Sequence, residues 1–241
     1  MLTRASLPDT GDLATFIGLI PSVLTFISCI LYGSLLETAF VLFISWSFCL
    51  MLLLIPLVFQ KKNSFPDLIK QAASIALVHC YTALLPGFLI FIVSGFPNSQ
   101  NTIISFALLT FGNDSLAWFF GKYLARKRNL LDVSPNKSIS GFIGGTIGSI
   151  VAAFIGLGPI AGAWKPSGIA YILLSLSLGL GMAFFVIVGD LFESALKRSA
   201  GIKDSGSIVP GRGGILDSFD SLYFSAPFFI AFSYTFHLFN L

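Results

Sequence analysis

Long apolar runs recur along the whole chain, and runs of that length have few ways to exist. They cover about residues 13–32, 38–59, 72–95, 102–121, 141–163, 168–189 and 221–239, with only short polar stretches between them. A helix needs about 20 mostly apolar residues to cross a bilayer. In hydrocarbon every backbone N–H and C=O must find a partner inside its own structure, which leaves helices for runs of this kind. The fold expected is therefore all-α, a polytopic transmembrane helical bundle of about seven spans. Composition agrees: 55% of the 241 residues are hydrophobic and 10% are charged, against roughly 25% charged in a soluble domain. The 26 phenylalanines suit lipid contact.

Basic residues favour the cytoplasmic side of a membrane. Seven alternating spans put Arg4, the lysines at 61, 62 and 70, the basic residues of 122–137 and those of 197–212 on one side, leaving only Lys165 of the 14 on the other. This predicts an N-in, C-out topology and brings the polar stretches 122–140 and 190–220 to one membrane face. The basic residues are spread over several short loops, so no nucleic-acid partner is expected. Pro21 and Pro86 fall inside spans, where neighbouring helices must satisfy the freed carbonyls. Cys29, Cys49 and Cys80 lie in apolar runs without the spacing of a zinc site or a disulfide framework. The N-terminus lacks a basic n-region joined to a short apolar core, so no signal peptide is expected. Gly141, Gly144, Gly145 and Gly148 are spaced for close helix approach, which also offers a face for a homodimer.

Charge concentrates in residues 189–220, which hold five of the 11 acidic residues: Asp190, Glu193, Asp204, Asp217 and Asp220. Lys197, Arg198, Lys203 and Arg212 lie among them. If the sixth span continues as a helix to about Arg198, then Asp190, Glu193 and Lys197 share one face, and Glu193 and Lys197 form a favourable i, i+4 pair. Asp217 and Asp220 share a face at the start of the last span. The glycine-rich loop between them can draw the two helix ends together and aim backbone N–H groups at phosphate oxygens. Carboxylates beside Lys and Arg suit Mg²⁺, which takes one or two carboxylates and shares its other positions with substrate phosphates. A solvated loop with ordinary ion pairs is the plainer alternative.

Asp114 is expected to be buried, between Asn113 and Ser115, in a fourth span interrupted at 112–115. A carboxylate there costs about 2.5–3.5 kcal/mol on insertion scales, so a polar cavity or a function is implied. His79 stands alone in an apolar run and is expected to be a structural histidine. The sequence Gly211-Arg212-Gly213-Gly214 lacks the Lys-Ser/Thr of a Walker A loop, and no serine is framed as Gly-x-Ser-x-Gly.

The string Ser194-x-Leu196-Lys197-Arg198, then Lys203-Asp204-x-Gly206, then Val209-Pro210-Gly211-Arg212-Gly213-Gly214-Ile215-x-Asp217-Ser218-Phe219-Asp220 resembles the signature of the phosphatidate cytidylyltransferase (CDP-diacylglycerol synthase) family, S-x-[aliphatic]-K-R-x4-K-D-x-G-x2-[aliphatic]-P-x-H-G-G-x-x-D-R-x-D. Upstream, Asn113-Asp114, Ser134-Pro135-Asn136-Lys137-Ser138, Gly141-Phe142-Ile143-Gly144-Gly145 and Gly189-Asp190-Leu191-Phe192-Glu193-Ser194 are similar to further family segments. About residues 105–230 are covered. The resemblance implies N-terminal transmembrane helices over 1–100 and a catalytic transmembrane domain over 101–241. It implies an enzyme that makes CDP-diacylglycerol and pyrophosphate from CTP and phosphatidic acid, with Mg²⁺ and an assisting monovalent cation such as K⁺. Its expected place is a bacterial inner (plasma) membrane, with the site facing the cytoplasm.

Under the same resemblance Asp190 and Asp217 are the leading metal positions, with Asp220 beside them. Lys197, Arg198, Lys203 and Asp204 join the catalytic set. Asn113, Asp114, Ser134, Lys137, Arg212, Gly213 and Gly214 are substrate-binding positions. This sequence departs from the family pattern at Arg212 for His, Ser218 for Arg, Asn136 for Lys and Ile139-Ser140 for Trp-Glu. The Arg gained at 212 and the Arg lost at 218 can compensate if both positions reach the same phosphate. The departures leave two alternatives open: a CTP-dependent kinase acting on a polyprenol or phytol, and a degenerate homologue that binds lipid without turnover.

Overall fold

The computed structural model describes residues 11–32, 35–59, 62–94, 96, 99–125, 131–160, 168–206, 214–236 and 238. Among these residues all regular structure is helical. Helices α1 (Gly11–Tyr32) and α2 (Leu35–Val58) are followed by a short 3₁₀ turn, Lys62–Asp67. Helices α3 (Leu68–His79) and α4 (Leu85–Ser94) are joined by one π turn, Cys80–Leu84, and run as a single rod. Then come α5 (Ser99–Tyr123), α6 (Ile139–Ile155) with a π turn at Gly156–Ile160, α7 (Ile169–Ser199) and α8 (Ile215–Thr235). The described residues thus form seven helical rods.

Among the described residues five stretches are long and apolar enough to cross a membrane: Leu36–Val58, Phe65–Val93, Ser99–Tyr123, Ile139–Gly158 and Ile169–Ser199. Ile17–Leu31 is a shorter apolar helix. Helix α8 is not among the five; its first turns carry Asp217 and Asp220, and serines recur along it. The chain is an integral membrane protein. It divides into two compact units, Met1–Gly95 and Phe96–Leu241.

In the first unit, α1 packs on α2 and on the α3–α4 rod. Ser22 Oγ donates to the carbonyl of Ala83 at 3.0 Å, which ties α1 to the rod close to Pro86. His79 is fully buried; its Nε2 donates to the carbonyl of Trp46 at 3.0 Å and its ring stacks on the Trp46 indole. That bond joins α3 to α2, as a structural histidine should.

In the second unit, α5 and α6 are in the closest contact. A Cβ built on Gly148 would lie 2.2 Å from the carbonyl oxygen of Gly112, and one on Gly144 2.6 Å from that of Leu116. The two backbones touch there, and only glycine permits it. The glycine face of α6 is therefore consumed within the chain and is not available to a second copy. The expected break at 112–115 does not occur: α5 runs unbroken from Ser99 to Tyr123. Its polar residues find partners on the neighbouring helix instead. Asn113 Nδ2 donates to Ser149 Oγ at 3.0 Å, and Ser149 Oγ donates to the carbonyl of Leu109 at 3.1 Å. Pro159 lacks the N–H that the π turn would direct at the carbonyl of Phe154, and Tyr171 supplies its hydroxyl to that oxygen at 2.6 Å.

Helix α8 packs along α7 through the stacked rings of Phe185 and Phe228, and on α5 through Phe106 and Phe229. Helix α7 continues as helix through to Ser199. A Schellman-type end closes it: Gly201 adopts φ +68°, its N–H bonds the Arg198 carbonyl, and the Ile202 N–H bonds that of Lys197.

Overpacking a tight contact typically costs about 1–3 kcal/mol. Gly148→Ala should lower the Tm of the detergent-purified protein by a matching amount. Gly112→Ala, whose added Cβ has no neighbour nearer than 3.4 Å, should leave it nearly unchanged. Equal shifts would contradict the one-sided contact.

Candidate active site

Two close approaches bring the polar residues of the second unit together. A Cβ on Gly189 would lie 2.6 Å from Phe224 Cβ and 3.1 Å from the carbonyl oxygen of Asp220. The missing side chain lets the Asp220 turn of α8 lie against α7 beside Asp190. At the other wall, Ser138 caps α6, its Oγ accepting from the Gly141 N–H at 3.1 Å. This fixes the turn before α6, so that Lys137 reaches α7 and pairs with Asp190. The result is a cavity of about 720 Å³ between α5, this turn, α6, α7 and α8.

Behind the cavity lies a buried charge cluster. Glu193 is fully buried on α7. One helical turn on, Lys197 Nζ sits 2.5 Å from Glu193 Oε2 and 2.7 Å from Asp217 Oδ1. The other oxygen of Asp217 accepts from the Ser205 N–H at 2.8 Å, Ser205 Oγ at 2.6 Å and the Gly214 N–H at 2.6 Å. Burial pushes the Asp217 carboxyl up, but these donors and Lys197 outweigh it and hold the group below the usual carboxylate range. Asp217 is thus the ionised anchor on which the end of α7, the Ser205 turn and the start of α8 converge.

The cavity lining is acidic. Asp114, Asp190, Asp217 and Asp220 face it, with Lys122 and Lys137 as the ammonium groups among the described residues. Lys137 is already paired with Asp190. Asp220 is buried and lies in the field of Asp190, Glu193 and Asp114, with its own Ser221 N–H as hydrogen-bond donor. Among the described residues no group of three or more His, Cys, Asp or Glu can hold a metal by itself. Mg²⁺ asks for less, because one or two carboxylates suffice when phosphates complete its shell. Among the described residues the lining brings four carboxylates and two ammonium groups together, a donor set that fits such an ion.

The sequence profile of the Cytidylyltransferase family matches residues 4–236. The chain belongs to the cytidylyltransferase family. Phosphatidate cytidylyltransferases of Synechocystis sp. and Bacillus subtilis are 40% and 43% identical to it over 126 and 121 residues, 52% and 50% of this chain and 40% and 43% of theirs. One from Staphylococcus aureus is 39% identical over 120 residues, 50% of this chain and 44% of its own. The matched region is therefore less than half the length of these curated relatives.

Within this cytidylyltransferase-family chain, the cavity gathers Asn113, Asp114, Lys137, Asp190, Asp217 and Asp220. Lys197 stands one layer back, on Asp217, and Gly214 is held there by its N–H. Ser134 lies half-buried in the turn before α6, its N–H on the Leu131 carbonyl, outside the lining. Arg198, Lys203 and Asp204 are exposed and do not line the cavity. Arg212 and Gly213 lie outside the described residues, and with Arg212 goes its expected compensation for Ser218. Ser218 does line the cavity. The burial expected of Asp114 falls to its neighbour: Asn113 is the buried residue, and Asp114 is exposed toward the cavity. Sequence reasoning passed over Glu193, Ser138 and Ser205 as site residues. The i, i+4 spacing to Lys197 and the Ser-x-x-Gly before an apolar run were signals for the first two. Nothing local marks Ser205.

Removing one partner of a buried ion pair costs about 3–5 kcal/mol, because the other charge is stranded. Lys197→Met should lower Tm accordingly, and adding Glu193→Gln should recover most of the loss. Non-additivity of this kind, measured by thermal unfolding in one detergent, tests the buried pair; strict additivity contradicts it.

Proposed function

We propose that this chain is a membrane CTP:phosphatidate cytidylyltransferase, forming CDP-diacylglycerol and pyrophosphate from CTP and phosphatidic acid for phospholipid synthesis. The observation that carries this reading is a cavity that brings acidic groups from α5, α7 and α8 together beside Lys137 and an apolar wall of Phe111, Trp118 and Phe142. A phosphate monoester has a second pKa of about 6, so phosphatidate brings its own nucleophilic oxyanion at neutral pH. That oxygen attacks the α-phosphorus of CTP, the bond to the β-phosphate oxygen breaks, and pyrophosphate leaves. Positioning and charge stabilisation are what the protein must add.

Two anionic substrates cannot share an acidic cavity without extra positive charge. A bound Mg²⁺ would supply that charge to the phosphates. Asp190, Asp217 and Asp220 are the residues to hold it. Lys137, at the cavity beside Asp190, would neutralise phosphate, and Lys197 keeps Asp217 ionised and in place. The basic residues gathered on one side of the span order support a site at the cytoplasmic face. The bacterial relatives support an inner membrane as its location.

The test uses purified protein, CTP labelled at either phosphate, and either phosphatidic acid or a polyprenol as the lipid acceptor. Label from the α-position should enter lipid and label from the γ-position should not. The reverse would make the protein a CTP-dependent lipid kinase, and neither would make it a lipid-binding homologue. Chelating Mg²⁺ should abolish the reaction and re-addition restore it. Asp190→Asn should lower kcat by about 100-fold or more with Tm retained.

A further inference from the structure

Lys122 belongs to no segment of the family signature matched above, yet it lines the cavity. Its ammonium lies 4.6 Å from the ring centre of Trp118 and 5.3 Å from that of Tyr123. Among the described residues it has no carboxylate partner, in contrast to Lys137 and Lys197. Ser115, Trp118, Phe119 and Lys122 fall at i, i+3, i+4 and i+7 and so share one face of α5. That face borders a second, more open cavity of about 700 Å³, with Leu116 and Phe119 in its wall. Asp114, Ser115 and Trp118 belong to both cavities.

The site therefore has two ammonium groups in different surroundings. Lys137 stands against Asp190, among the carboxylates. Lys122 stands at the end of α5, on the apolar helix face, beside exposed Trp118 and Tyr123. Tryptophan and tyrosine at the end of a membrane helix mark the depth of lipid headgroups. Resting on the proposed reaction, we infer that Lys122 is the residue that binds the phosphate of the lipid substrate, with Trp118 holding its side chain in place between the two cavities. A lysine ammonium is a compact point charge on a flexible stem, and a cation–π contact at an exposed site is weak. The ammonium can leave the rings for a doubly charged phosphomonoester at little cost. A zwitterionic headgroup, with its own ammonium and one phosphodiester charge, offers much less. Lys122 thus selects phosphatidate from the bulk lipid.

Steady-state kinetics in mixed micelles separate the two phosphate-bearing substrates. Lys122→Gln should raise KM for phosphatidate about tenfold and leave KM for CTP unchanged, and Lys122→Arg should keep most of the wild-type affinity. An unchanged lipid KM, or an equal rise in the CTP KM, overturns the assignment. A mere interfacial anchor would lower the yield of folded protein without moving the lipid KM of what remains, which also overturns it. A second readout needs no turnover. In a Trp46→Phe/Trp164→Phe background, brominated phosphatidate should quench Trp118 fluorescence more than brominated phosphatidylcholine does, and Lys122→Gln should erase the difference. Equal quenching by both lipids in the parent protein overturns the inference. Selective, Lys122-dependent quenching in a protein that transfers no label from CTP would instead sink the proposed reaction and leave the lipid site standing.

Discussion

The polar half of the second unit hangs on one ammonium group. Lys197 touches Glu193, which is fully buried, and Asp217, which anchors the start of α8. Two carboxylates and one lysine leave a net negative charge in a place with little water. That is tolerable only because Asp217 collects three further donors from Ser205 and Gly214. A buried ion cluster is weak evidence for stability, since desolvation takes back much of the Coulomb gain. Its value lies in geometry. The donors come from the end of α7, from the turn beyond it and from the residue before α8, so a single carboxylate fixes where three segments meet.

The helix contacts that frame the cavity follow from missing side chains. Gly189 admits the Asp220 turn, and Gly144 and Gly148 let α6 lie against the backbone of α5. Lipid tails are as apolar as leucine, so helices in a membrane gain little from hydrophobic burial against one another. Close van der Waals contact and hydrogen bonds such as Asn113 to Ser149 must do that work. Both devices appear on the same stretch of α5, which puts Asp114 at a fixed height opposite Asp190.

Much of this was legible in the sequence. Seven apolar runs correspond to seven helical rods, because backbone satisfaction in hydrocarbon allows little else. The continuation of α7 past its apolar run was readable from Asp190, Glu193 and Lys197 falling on one face. The exchange of roles between Asn113 and Asp114 was not. Adjacent helical residues point about 100° apart, and a short polar cluster in an apolar run does not say which member faces the neighbouring helix. The break expected there failed for the same reason. Polar residues interrupt a span only when nothing answers them, and Ser149 answers Asn113. Ser205 could not have been found locally, since it meets Asp217 from 12 residues away in the sequence.

The substitution of Ser218 for the arginine of the family pattern now has a physical setting. Ser218 lines the cavity one residue after the anchor, and its hydroxyl turns back to the Gly214 carbonyl at 3.4 Å. A short side chain there withdraws a positive charge from a lining that already holds four carboxylates. In the proposed reaction this makes binding of the nucleotide depend more heavily on the metal that accompanies it, and on the lysines at 122 and 137. Those two come from different elements, Lys137 from the turn before α6 among the carboxylates and Lys122 from the end of α5 beside the aromatic face. Two separate ammonium groups give each phosphate a cation of its own besides the metal, so that the charge of two substrates can be answered in one cavity.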